Sequence, residues 1–214
     1  MFEDFSFSSF KSKFKSDKKF RLISILSGSV IVLLLGVFVY YQFVYLPNEE
    51  ASKEIYFETL NYADSSSRTD KNIKTLEAKI DEFDGYTGAL PAEFLLARQY
   101  MNKGQFDKAI TSLEKIEPED TYLSVFKIGL LGDCYSEQGK LSEAFEQYTL
   151  AANTNTNEFT TPIFLFKAGL IAEKLNQFEE AANCYKKIKE NYKEFGQLKR
   201  IDYYVARASN TKVK

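Results

Sequence analysis

The residues able to do covalent or proton-transfer chemistry are few and scattered. The chain of 214 residues has no histidine, which removes the commonest general base, nucleophile activator and metal ligand together. Its two cysteines, Cys134 and Cys184, cannot build a zinc site or a disulfide framework. They fall in helical stretches at non-equivalent positions, and buried free thiols are the expectation; a disulfide between them in an oxidising compartment is the alternative. A serine or lysine nucleophile would need a partner base, and no GxSxG elbow or phosphate-binding glycine loop occurs. Acid pairs such as Glu179-Glu180 read as solvated charge on a helix face. These residues predict a protein that is not an enzyme and needs no cofactor.

Composition agrees with that reading. Hydrophobic residues make up 44% and charged residues 27%, a balance that folds rather than staying disordered. Four prolines and ten glycines are too few for the many turns of an all-β protein. Charge is unevenly placed. Residues 1–21 carry six basic side chains against three acidic ones, and from Pro47 onward there are 22 basic and 27 acidic residues. A mildly acidic main domain argues against nucleic acid as its partner.

Between Arg21 and Glu49 there is no charge. Residues 22–46, LISILSGSVIVLLLGVFVYYQFVYL, are long enough as a helix to cross the roughly 30 Å hydrocarbon core. Tyr40, Tyr41 and Tyr45 gather at the far end, where amphipathic rings favour the headgroup level. The run is longer than the core of a cleaved signal peptide, and Pro47-Asn48-Glu49-Glu50 follows it without a small-x-small site, so an uncleaved anchor is expected. Six Lys and Arg precede the span, whereas the first basic residues beyond it are Lys53 and Arg68 beside several acids. The positive-inside rule puts the N-terminus in the cytoplasm and the domain after Pro47 outside.

The tail, residues 1–21, has phenylalanine at 2, 5, 7, 10, 14 and 20. Phe7, Phe10 and Phe14 have helical spacing with lysines between them. An interfacial anchor or a docking peptide is one reading; a topogenic tail whose lysines only set orientation is the other, and the simpler.

After the span the sequence repeats. EFLLARQYMNKGQFDKAITSLEKI (93–116), KIGLLGDCYSEQGKLSEAFEQYTLA (127–151) and FLFKAGLIAEKLNQFEEAANCYKKI (164–188) align on Ala109, Ala144 and Ala181. Twelve residues before each alanine stands a small residue, Ala97, Gly132 and Gly169. The pattern predicts antiparallel helix pairs in which Ala97 faces Ala109, Gly132 faces Ala144 and Gly169 faces Ala181, with Leu113, Tyr148 and Tyr185 filling the space behind. Gly104 and Gly139 fall at the turn, where positive φ suits glycine, and Asn176 replaces them in the third unit. No unit buries its apolar face alone, so the units must stack, a right-handed superhelix being expected. Tyr56, Leu60 and Ala63, then Ile73, Leu76, Ile80 and Phe83, suggest a degenerate hairpin around a polar link at Asp64–Asp70. Leu198, Ile201, Val205 and Ala208 suggest one terminal helix capping the stack. Thr160-Thr161-Pro162 reads as a helix start with a capping hydroxyl.

The pattern resembles the tetratricopeptide repeat. Leu96, Ala97, Tyr100, Gly104, Phe106 and Ala109 carry the likeness, with Leu131, Gly132, Tyr135, Gly139, Ala144 and Tyr148, then Gly169, Phe178, Ala181 and Tyr185. The departures are the absence of tryptophan, a missing proline late in the repeat, and an insertion near Asn153–Phe159. The expected fold is all-α: an N-terminal transmembrane helix, then a tetratricopeptide-repeat α-solenoid with a C-terminal capping helix. The boundaries are a tail at 1–21, the span at 22–46, a degenerate hairpin at 47–89, three repeats at 90–194 and the cap with a short tail at 195–214. The whole arrangement is similar to the YfgM-like ancillary subunits of the Sec translocon in Gram-negative bacteria.

That resemblance implies a single-pass inner-membrane protein with a periplasmic domain. Its implied partners are the SecYEG translocon, a PpiD-like membrane-bound periplasmic chaperone, and unfolded or nascent exported proteins. A scaffold for another cell-envelope assembly or division complex is the alternative. The tetratricopeptide likeness further implies a groove lined by the first helix of each repeat. On this chain it comprises Phe94, Arg98 and Met101, then Phe126 and Asp133, then Ile163, Phe166 and Leu170, with large apolar side chains on a face that is ordinarily solvated; closure over Phe166 and Leu170 by the capping helix is the competing arrangement. Orientation is directly testable. A reporter active only in the periplasm should be active when fused after Lys214 and silent when fused at Ser16; the reverse pattern contradicts the charge argument.

Overall fold

The computed structural model describes residues 6–60, 69–118 and 120–211. The positions of Ala63 and Arg68, most of the link up to Asp70, and Phe2 and Phe5 of the tail lie outside the described residues, as do the side chains of Tyr56 and Leu60. Among the described residues the secondary structure is helical, without strands. Two compact units result, Met1–Ala51 and Ser52–Lys214.

In the first unit, α1 (Phe7–Ser16) stops at Asp17, whose backbone is extended and whose carboxylate accepts the N–H groups of Lys19 and Phe20 to start α2 (Lys18–Tyr40). The sequence is too apolar on every side to hide one face, and no residue of α2 is buried. Tyr41–Tyr45 form one π-helical turn before α3 (Leu46–Leu60), with the rings of Tyr41 and Tyr45 stacked at 5.4 Å. By length and composition, the continuous helix Lys18–Glu54 could cross a membrane.

The second unit continues with α4 (Thr69–Glu82) and then three hairpins: α5 (Ala89–Asn102) with α6 (Phe106–Lys115), α7 (Thr121–Glu137) with α8 (Leu141–Thr154), and α9 (Thr160–Lys174) with α10 (Phe178–Asn191). Each helix packs on its chain neighbour, so α6 joins α7 and α8 joins α9. The turn inside each hairpin is the same. Gly104, Gly139 and Asn176 take φ of 70°, 74° and 61°, as their spacing predicted. The next residue's N–H reaches back to the carbonyl of Tyr100, Tyr135 or Ala172 at 2.8–2.9 Å. This is the bond that ends a helix through a left-handed residue.

The small residues also make room for the large ones. Ala109, Ala144 and Ala181 are fully buried, and Gly132 lies against the Tyr148 ring. A Cβ on Gly132 would sit 2.7 Å from the Tyr148 ring, and one on Gly169 would sit 2.4 Å from the Tyr185 ring. Each glycine makes room for an aromatic ring sixteen residues on. The first hairpin has Ala97 and Leu113 at the same offset, both fully buried. A larger first residue goes with a smaller second one.

Two local expectations are revised. The threonines do not cap α9; Asn157 does, its Oδ1 accepting the N–H of Phe159 and of Thr160 at 2.8 and 2.7 Å. Thr160 and Thr161 are buried, and their hydroxyls bond back to Asn157. A carboxamide two and three residues upstream reaches the free N–H groups that a residue inside the helix cannot. The terminal stripe is also not one helix. Arg200, in the left-handed region at φ 53°, breaks it into α11 (Lys193–Lys199) and α12 (Ile201–Asn210). The break leaves Leu198 79% exposed while Ile201 and Ala208 stay buried.

The glycine–tyrosine fit gives a mutational test. Gly169→Ala should destabilise the domain by about 1–3 kcal/mol through overpacking. Adding Tyr185→Leu, which recreates the pairing of Ala97 with Leu113, should recover part of that loss in urea unfolding. Equal stability of Gly169→Ala and the native chain would contradict the packing.

Candidate interaction surface

The first helices of the three hairpins, α5, α7 and α9, carry all eight residues assigned to the groove. Phe94 and Met101 are half-buried in α5, and Arg98 is exposed. In α7, Phe126 is 39% exposed and Asp133 is half-buried. In α9, Ile163, Phe166 and Leu170 are half-buried.

Two of the eight have other engagements. Asp133 accepts from Lys167 Nζ at 2.6 Å and from the Tyr148 hydroxyl at 2.5 Å. It ties α7 to α9 and holds the ring that fills the space over Gly132. Phe166 packs against the core of the unit. Its ring lies 4.9 Å from that of Tyr204 and 6.2 Å from that of Phe195, both edge-on, with Lys199 Nζ 5.7 Å from its centroid. The terminal helices supply that cover, so at Phe166 the competing arrangement, closure by the cap, describes the contacts.

Two pairs went unnoticed in the sequence. Lys167 sits opposite Asp133, and Arg207 of α12 grips Glu173 of α9 with two nitrogens, Nε at 3.0 Å. Each pair joins opposite charges 34 residues apart. That shared spacing was available as a signal. It also shows that α12, packed on α10, meets α9 as α9 meets α7. The hydrogen bond to the Glu173 carboxylate raises the Arg207 pKa further.

A family model for the tetratricopeptide repeat matches residues 92–117 and 164–194. These segments cover the bodies of the first and third hairpins, and the α7–α8 hairpin between them repeats their turn geometry. This is a tetratricopeptide repeat fold. No curated protein matches the chain. Tetratricopeptide repeats generally bind protein partners, which supports a protein-interaction scaffold.

Both cysteines are free and buried. Burial pushes the Cys134 thiol up to about 11, with the Asp133 charge adding to it, and burial likewise pushes Cys184 to about 11. From an unperturbed value of 9.0, the unfolded chain releases these protons first as pH rises. The folded state therefore loses stability between about pH 9 and 11. At pH 8 alkylation of the two thiols should run at least about a hundred-fold slower in the folded protein than in urea, because the thiolate is the reactive form. Equal rates would place the thiols at the surface.

Proposed function

We propose that the chain is a membrane-anchored interaction scaffold. In this reading α2 is an uncleaved single-pass anchor in a bacterial inner membrane, with the N-terminus cytoplasmic and the repeat domain periplasmic. The domain binds protein segments along α5, α7 and α9. The observation that carries the binding role is the incomplete burial of Phe94, Met101, Phe126, Ile163 and Leu170 on the first helices of a repeat fold. Aromatic side chains left partly exposed on such a face suit capture of apolar segments from unfolded or newly exported chains.

The resemblance to YfgM-like subunits supports a place beside the SecYEG translocon, with a PpiD-like chaperone and exported proteins as partners. A helix whose cations are confined to its first turn and whose remaining length is apolar on every face suits lateral association within the bilayer as well as anchoring. The role is non-catalytic: the repeats supply surface and spacing, and the absence of histidine leaves the common acid–base devices unavailable.

Phe94→Ala combined with Phe126→Ala tests the groove. These side chains are only partly buried, so the variant should keep its helicity and its membrane insertion. Anchors of this type contribute about 2 kcal/mol each, so most of the periplasmic partner should be lost from a mild-detergent pull-down, while SecY held through the anchor is retained. Retention of every partner would contradict the groove. A loss of helicity would show that the two rings belong to the core.

A further inference from the structure

The basic, phenylalanine-rich tail is not used by the scaffold reading, yet it is built as a helix with three distinct sides. At about 100° per residue, Phe7, Phe10 and Phe14 of α1 fall within roughly 60° of arc. Ser9, Ser12 and Ser16 occupy a similar arc on the opposite side. Lys11 and Lys15 lie on one flank between them and Lys13 on the other. No residue of α1 is buried, and Phe7 is 83% exposed.

The junction with α2 fixes what this apolar side is next to. Only Asp17 separates the two helices, and its extended backbone turns the chain while its carboxylate starts α2. α1 therefore ends close to Lys18, Lys19 and Arg21, the residues that precede the apolar run. The Phe10 ring packs 5.5 Å from Phe20 of α2, edge-on, and 6.0 Å from Phe14. The phenylalanine side of α1 thus turns toward the start of α2 rather than away from it.

We propose that α1 is an interfacial helix, lying in the headgroup region of the bilayer that α2 crosses, with its phenylalanines among the upper acyl chains and Lys11, Lys13 and Lys15 on anionic headgroups. The proposal rests on the reading of α2 as a membrane span. The arrangement meets the requirements of such a helix: an aromatic face, a hydroxyl face for water, and cations at the boundary between them. Juxtamembrane lysines are drawn to anionic lipids, and the short link to α2 keeps the helix at the surface. Charge complementarity and this continuity with the span favour lipid over a protein groove as the occupant.

The chain has no tryptophan, so Phe7→Trp in the full-length protein gives a sole fluorophore at an exposed position. The variant is reconstituted into phosphatidylcholine vesicles with or without phosphatidylglycerol. Flotation with the vesicles reports α2 separately. With phosphatidylglycerol, emission should be blue-shifted and quenched by lipids brominated high on the acyl chain. Quenching should fall about two-fold or more in pure phosphatidylcholine, and again when Lys11, Lys13 and Lys15 become glutamine, while flotation is unchanged. Water-like, unquenched emission from floating protein would overturn the proposal and make a protein groove the occupant. Quenching indifferent to lipid charge and to the lysines would overturn their assignment to headgroups. Protein that fails to float would overturn the span itself.

Discussion

The repeat domain depends on one steric fit: a side chain on the second helix of a hairpin occupies space that the first helix must leave empty. Tyr148 and Tyr185 are large, rigid and almost wholly buried, and Gly132 and Gly169 are what allows them in. Protein interiors pack at crystal-like density, so an added methyl group at either glycine has nowhere to go. The pairing also sets where the hydroxyls end up. Tyr148 reaches Asp133 on its own hairpin's first helix, and burial together with that acceptor raises its pKa. A packing contact thereby positions a polar one.

From that polar contact the stacking of successive units can be followed. Asp133 is held by both Tyr148 and Lys167, so it links the inside of one hairpin to the next. Glu173 with Arg207 makes a similar connection from the third hairpin to α12. Partly exposed ion pairs contribute modestly to stability; register is the more evident consequence, since a slip of one turn would leave Asp133 without its cation. The apolar side chains near these links include the partly exposed ones on which the proposed groove rests. Phe126 lies seven residues before Asp133, roughly two turns along the same helix.

The two ends of the domain are finished differently. At the C-terminal end, α11 and α12 bring Phe195 and Tyr204 over Phe166, and Arg207 stands over both Tyr203 and Tyr204. The last full hairpin is thus covered, as a repeat stack requires to remain soluble. At the other end, α4 packs on α5, and Ser52 of α3 comes close enough to Gly88 to accept its N–H at 3.2 Å. A Cβ on Gly88 would collide with the Ser52 carbonyl, so the approach is between backbones.

By itself the sequence determined the helical class, the three hairpins, their turns and the long apolar helix. Each of these is a local or periodic property: φ > 0 at Gly104, Gly139 and Asn176 follows from residue type, and an uncharged run needs no neighbours to be recognised. The eight residues assigned to a groove fall on α5, α7 and α9 for the same reason, since helical position depends only on spacing. What only the tertiary structure decided concerns which side chain meets which. Spacing showed small residues on both helices of a hairpin but could not tell how closely the ring sixteen residues on would press against each glycine. The stripe through Leu198 looked continuous because periodicity carries no sign of the left-handed Arg200. Whether Phe166 faces a partner or the fold depended on the direction of α12 after that break, and a change of backbone direction at one residue alters contacts far along the chain without altering any hydrophobic pattern.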